Sequence, residues 1–304
     1  MKNYSPKIAA KLQVRPQVMH GLSRHKKTNL AKKKISSVGT ERNHVSALTV
    51  FSKWLIMDSN KHLKNAKPTD AIRYLEERSK VVRQKTLDMD RQALNMNMNF
   101  PTDIKFILSE VQTHVENRAY TQPQLDYLIS KASDDLKLSI ELASNAGLRS
   151  MEILTISPPF SLSQSDRNWH EHRFDGRNKD ASFIVHGKGG LHREIRLSPE
   201  LSNRIKQLAR PTPVIVTHRE THLKSHFNLL GGHDFCNKFS ILSKKEIGFS
   251  HGAHGLRHTF AQGRLLELMC LGYDTDIAVK ILSQEMGHFA ITNTLTYLSE
   301  RFSI

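Results

Sequence analysis

From Thr40 onward apolar residues recur at helical spacing: Val45, Leu48, Phe51, Trp54 and Leu55 fall on one stripe, with Thr40 placed as its N-cap. Pro68-Thr69-Asp70 starts a second helix, which carries Ala71, Ile72, Tyr74 and Leu75. A third run, from Val82 to Met98, sets Leu87, Met89, Leu94 and Met98 against Arg83, Lys85 and Arg91. The pattern predicts a small all-α domain of three or four helices with basic outer faces, in which the methionines fill the core. Between Pro101 and Arg118 the periodicity fades, which places a linker near Glu116 to Ala119.

Beyond the linker, Thr121-Gln-Pro123 is a helix start, and Leu125, Leu128 and Ile129 give that helix its apolar face. The span Asp134 to Ala146, rich in leucine and isoleucine, predicts a helix central to a second core, closed by Gly147 at the position where positive φ is usual. Residues 157 to 180 are polar and read as loop. Ser182 to Val185 and Glu194 to Leu197 read as two strands joined by a Gly187-Lys188-Gly189-Gly190 turn. The turn is not a phosphate loop, because G-x-x-x-x-G-K-[ST] is absent and no helix follows. From Pro199 to Ser250 the pattern resolves no elements. The fold class expected is mainly α with a small antiparallel β-sheet (α+β).

Candidate chemistry gathers near the end of the chain. On a helix, His254 and Arg257 stand at i and i+3, so both side chains leave one face and can converge on one anion. Met286-Gly287-His288 ends an apolar helical run, and Thr292 or Asn293 can cap a short helix carrying Tyr297. Arg149 follows Gly147 at a tight junction. From there its guanidinium can pair with a neighbouring carboxylate or hold a phosphate through two hydrogen bonds, with Glu152 placed to orient it. Lys188, on a glycine-rich tip, is mobile enough to reach into a cleft. His218, His222, His226, His233 and Cys236 match no zinc spacing, and Gly255 occupies the position where H-E-x-x-H needs its glutamate. No metal ligand and no cofactor are expected.

Charge narrows the partner. The 304 residues carry 45 Lys and Arg against 29 Asp and Glu, a net charge of +16, which favours a polyanion, above all nucleic acid. The first acidic residue is Glu41, so residues 1–38 form a basic arm that either follows a phosphate backbone or is a solvated tail. Lys26, Lys27, Lys32, Lys33 and Lys34 of this arm, with Arg83, Lys85 and Arg91 of the helical domain, are the candidate DNA contacts. Two cysteines, Cys236 and Cys270, make no disulfide framework and point to the reducing cytoplasm, with nucleoid association when DNA is bound. No apolar run reaches the roughly 18 residues that span a bilayer, so no membrane partner is expected.

The ordered set Arg149, Lys188, His254-x-x-Arg257, His288 and Tyr297 resembles the catalytic constellation of the tyrosine recombinase, or phage integrase, family. The contexts Ala146-Gly-Leu-Arg149-Ser-Met-Glu152, Gly187-Lys-Gly-Gly190 and His254-Gly-Leu-Arg-His-Thr-Phe260 resemble that family as well, as does Pro68-Thr-Asp-Ala-Ile-Arg-Tyr-Leu75. The resemblance divides the chain into the arm (1–38), a helical core-binding domain (39–117) and a catalytic domain (118–304). It implies attack by Tyr297 on a DNA phosphodiester to give a 3′-phosphotyrosyl bond and a free 5′-hydroxyl. In that scheme Arg149 and Arg257 clamp the phosphate, Lys188 protonates the leaving oxygen, His254 serves as acid or base, and His288 donates a hydrogen bond to the phosphate.

The implied enzyme is a site-specific recombinase for integration or excision of a mobile element. It would act as a homotetramer on double-stranded DNA through a four-way junction, with accessory DNA-bending proteins as possible partners. A type IB topoisomerase, a chromosome dimer resolvase and a catalytically silent DNA-binding regulator are the alternatives. Four departures stand out: a longer Arg257-to-His288 interval, Leu191 where a basic residue is common, an expanded 161–180 loop, and only Leu298 to Ile304 after the tyrosine. The last predicts that subunits contact each other differently or minimally at that end.

Overall fold

A computed structural model of the chain describes residues 4–20, 34–112, 117–218 and 221–298. They divide into two units, Met1–His114 and Val115–Ile304, just ahead of the expected linker.

The first unit is helical: α1 (Pro6–Val14), α2 (Val38–Ser59), α3 (Pro68–Ser79) and α4 (Gln84–Asn97). Leu48, Phe51 and Leu55 of α2 meet Tyr74 and Leu75 of α3 and Leu87 and Leu94 of α4 in one core. The cap of α2 is Ser37 rather than Thr40; the Ser37 hydroxyl accepts from the Thr40 amide at 3.1 Å. In α3, Pro68 needs no amide partner in the first turn, and the Asp70 carboxylate accepts from the Lys67 amide at 2.9 Å. Ala10 and Val14 of α1 are fully buried in this core, so residues 6–14 are part of the domain and not of a separate arm. The basic composition of the segment hid two small apolar positions a helical turn apart.

Lys26, Lys27, Lys32 and Lys33 lie outside the described residues. Lys34 donates to the Pro16 carbonyl at 2.8 Å. Arg83 and Lys85 are exposed at the start of α4. Arg91 is half-buried: it donates to the Ile104 carbonyl at 3.4 Å and its guanidinium lies over the Phe106 ring, so it fastens the segment that follows α4.

The second unit begins with α5 (Gln122–Lys131), α6 (Asp134–Ala146) and α7 (Ser150–Ile153), followed by strands β1 (Ala181–His186) and β2 (His192–Leu197). These strands pair antiparallel from Ala181↔Leu197 to His186↔His192, which presents the Lys188 turn at the hairpin tip. The stretch left unassigned by pattern contains α8 (Pro199–Gln207), a second antiparallel hairpin of β3 (Ala209–His218) and β4 (Thr221–Phe227), and α9 (Gly232–Ile247). Most of β3 is exposed and its register shifts between Ala209 and Val214, where Pro211 and Pro213 withhold ladder donors, so it lacks the alternation that marks a strand. His218, His222 and His226 are spread along this hairpin. Helices α10 (Ala253–Cys270), α11 (Thr275–Glu285) and α12 (Thr292–Leu295) complete the unit.

Central α6 buries Leu136, Leu138, Ile140, Leu142 and Ala143 against the first hairpin, α9 and α10. Among the described residues no helix is long and apolar enough to cross a membrane.

Candidate active site

Gly147 ends α6 with φ of 57°, and a Cβ there would fall 2.4 Å from the Phe260 ring of α10. The glycine therefore lets the α6–α7 junction close directly on α10, and its carbonyl accepts a hydrogen bond from Arg257 Nη1. Gly147→Ala is expected to cost about 1–3 kcal/mol through this clash and the strained φ, read as a lowered urea midpoint at unchanged slope.

Arg149 caps α7, and Glu152 answers it twice. The Glu152 carboxylate accepts from the Arg149 amide at 2.9 Å and from Arg149 Nη1 at 2.6 Å. Its other partner is Arg193 of β2, whose Nη2 donates at 2.8 Å. Burial alone would raise the Glu152 carboxyl, but the charges of Arg193, Arg149 and Arg257 outweigh it and hold its pKa at about 2.

Arg257, on the buried face of α10, is fully enclosed. Beyond the Gly147 carbonyl, it donates to the Met286 carbonyl at the end of α11. Burial, and then the nearby Arg149, pull its pKa down to about 9, which leaves it a cation at neutral pH.

Gly287, with φ of 72°, turns the chain out of α11 and delivers His288. His288 Nε2 stands 3.0 Å from Arg149 Nη2 and 3.2 Å from Arg257 Nη2. Both guanidiniums can only donate, so Nε2 is the acceptor, and Nδ1 carries the proton toward Thr294 Oγ1 at 2.9 Å. Burial, followed by the charges of Arg257 and Arg149, lowers the His288 pKa to about 3, in keeping with a neutral ring. The Thr294 hydroxyl meets that of Ser283 at 2.8 Å, which anchors the corner to α11.

Tyr297 lies two residues beyond α12 and not on a helix: Ile291, without a side-chain cap, starts that single turn, and neither Thr292 nor Asn293 does. Its ring is buried among His258 (4.6 Å between centroids), His254 (5.2 Å) and His288 (5.6 Å), and the Arg257 guanidinium lies 5.5 Å from its centre. The Tyr297 amide donates to the Thr294 carbonyl at 2.9 Å, and its carbonyl accepts from Gln262 of α10 at 3.2 Å. His254 is partly exposed on this same face, with its ring also packed against those of His258 and Tyr297. Its pKa is lowered to about 4 by burial of the ring and by Arg257, and that of His258 to about 4 by burial and by Arg118.

Arg149, Glu152, His254, Arg257, His288 and Tyr297 thus converge, and Lys188 is exposed on the hairpin tip. Sequence reasoning missed Arg193, His258 and Thr294. A signal for Arg193 existed: Ile195 and Leu197 define the inward face of β2, and Arg193 is in phase with them. The expanded 161–180 loop packs behind the site. The Phe174 amide donates to Glu285 of α11 at 3.0 Å, and Trp169 packs on Phe289 with centroids 5.0 Å apart. Among the described residues no group of three His, Cys, Asp or Glu converges as a metal site.

The three histidines fold with pKa values below their usual 6.5, so the unfolded chain binds more protons as the pH falls from about 6.5 toward 3. Stability is therefore expected to be complete above pH 7 and to fall on acidification, with Glu152 adding to the loss below pH 4.5. Urea midpoints at a series of pH values check this, and His288→Gln should flatten the slope between pH 6.5 and 4.

No family profile and no curated protein matches the chain in sequence. Solved structures do. The XerH site-specific recombinase in a post-cleavage complex with palindromic difH substrate shares 14% identity at a TM-score of 0.55, over 98% of this chain and 94% of that one. A lambda integrase tetramer bound to a Holliday junction shares 15% identity at 0.55, over 96% and 81%. Lambda integrase residues 75–356, in a dimer bound to a COC′ core site, share 15% at 0.52, over 90% and 93%. The fold is that of the tyrosine recombinases. The likeness spans both units, so the α+β tyrosine-recombinase fold expected from the ordered motifs holds for nearly the full chain.

Proposed function

We propose that this protein cleaves and rejoins DNA at specific sites through a 3′-phosphotyrosyl bond to Tyr297. The observation that carries the reading is the meeting of two guanidiniums on one imidazole nitrogen, at 3.0 and 3.2 Å, beside a buried tyrosine ring. Two donor-only cations turned toward one acceptor are arranged for an anion. A phosphodiester that takes the place of His288 Nε2 would receive both forks. Phosphoryl transfer rests mainly on such positioning and charge stabilisation.

The Tyr297 hydroxyl attacks phosphorus, the P–O5′ bond breaks, and the 5′-oxygen leaves with a proton. His254, whose ring centre lies 5.2 Å from that of Tyr297, would take the tyrosine proton. Lys188, on its exposed tip, would give the leaving 5′-oxygen its proton once DNA is bound. For His288 to donate to the phosphate it must carry its proton on Nε2. The Thr294 hydroxyl permits this, because it can donate to Nδ1 as well as accept from it.

The helical first unit would bind the duplex beside the cleavage site, and attack by a 5′-hydroxyl of a second duplex would reverse the reaction and exchange strands. We place the protein among recombinases that integrate or excise mobile elements, acting as a homotetramer through a four-way junction. Removal of residues 1–35 would take Ala10 and Val14 out of the core. The basic segment is therefore tested by replacing Lys26, Lys27, Lys32 and Lys33 with Gln. DNA affinity should fall, and the log–log salt slope should shrink by about 0.9 for each phosphate that is no longer neutralised. An unchanged slope would make the segment a passive connection.

The direct test is incubation with supercoiled DNA from around the protein's own gene, in chelator, followed by a detergent quench. A protein-linked nick is the expected product. Site-specific DNA binding with no linked strand would favour a silent regulator.

A further inference from the structure

We propose that Arg193 is a positioning residue that ties the Glu152–Arg149 pair and the His288 corner into one unit; the inference rests on the strand-transfer reading of the site. Arg193 is 1% exposed, and both ends of its guanidinium fork are taken by protein acceptors. Its Nη2 donates to Glu152 at 2.8 Å, and its Nη1 donates to the Glu285 carbonyl, in the last turn of α11, at 2.6 Å. One guanidinium thus fixes the carboxylate that orients Arg149 and the helix end that leads into His288.

The surroundings are built to the same contact. A Cβ on Gly287 would fall 2.9 Å from Arg193 Cδ, so the chain turns into His288 directly over the arginine stem. A Cβ on Gly187 would fall 3.0 Å from Glu152 Oε1, so the backbone just before Lys188 packs on that same carboxylate. Glu285 in turn is held by Arg264 at 2.8 Å and by the Phe174 amide at 3.0 Å. Two acceptors in different directions suit a planar fork and not a point charge. Replacement of a buried ion pair by apolar groups is often neutral for stability, so the pairing alone does not account for an arginine here. Its consequence lies in where Arg149 and His288 are held.

The test compares Arg193→Met and Arg193→Lys with the parent, all as full chains. Arg193→Met is expected to cleave a site-bearing duplex on the order of 100-fold more slowly in single turnover, since small misplacements of clamp groups cost that much. DNA affinity should change by less than about threefold, because backbone contacts elsewhere set it. Hydrogen exchange across 283–290 should speed up by about tenfold or more while 136–146 stays protected. Arg193→Lys, keeping the charge and one of the two bonds, should recover about tenfold of the lost rate.

A rate loss that merely tracks the folded fraction, or unchanged exchange at 283–290, would overturn the proposal. If Arg193→Met does not fold, Arg193→Lys decides: parent-like rate and exchange would overturn it, and slowed cleavage with loosened exchange would support it. Loosened exchange in Arg193→Met, together with a parent that forms no covalent adduct, would overturn strand transfer and leave the tie standing.

Discussion

Tyr297→Phe is expected to bind DNA as the parent does and to form no detergent-resistant adduct, a loss on the order of 10⁴-fold or more. The ring, not the hydroxyl, packs against His254, His258 and His288, so Phe keeps the packing that seats α12. The hydroxyl is what strand transfer consumes. Two gel lanes, one for mobility shift and one for covalent capture, separate the effects. An adduct that persists in the variant would move the nucleophile elsewhere.

Arg149→Met should produce the next largest effect, slowing cleavage by on the order of 10³-fold, the scale on which a single clamping arginine acts in phosphoryl transfer. Its guanidinium side chain is 27% exposed, so loss of the group leaves little buried charge unpaired. Glu152 keeps Arg193 and the backbone amide at position 149. The fold should therefore survive where the reaction does not. Arg149→Lys should recover little, because an ammonium cannot donate to the phosphate and to Glu152 in the planar geometry of a fork. Single-turnover cleavage with folded protein verified by thermal melting is the measurement, and a loss below about tenfold would remove Arg149 from the clamp.

Much of this arrangement was legible in the chain. Leucine spacing and a glycine stop placed α6 to the residue, and Thr121 with Pro123 placed α5, because local capping and periodicity decide those elements. The first hairpin was legible for the same reason: two short runs with apolar positions, Ser182 to Val185 and Glu194 to Leu197, flank a glycine turn. The second hairpin was not, since exposed Val214 and Ile215, which follow Pro211 and Pro213, carry no burial pattern. The site divides along the same line. Arg149, Arg257, His288 and Tyr297 could be read from ordered motifs. That two arginines meet on one histidine nitrogen depends on Gly147 closing against Phe260 and on Gly287 folding over Arg193. Those approaches join residues far apart in sequence, and no local rule reports them. Arg91 shows the converse: its charge suggested DNA, and the structure adds contacts with the Ile104 carbonyl and the Phe106 ring that no charge pattern reports.

The measurement that bears most directly on the account is the identity of the residue joined to DNA. The protein would be trapped on a nicked site duplex in chelator, digested with nuclease and protease, and its peptides sequenced by mass spectrometry. A 3′-linked nucleotide on the peptide containing Tyr297, fragmenting at that tyrosine, is the predicted result. A nucleotide on any other side chain, or cleaved DNA with no peptide attached, would contradict it.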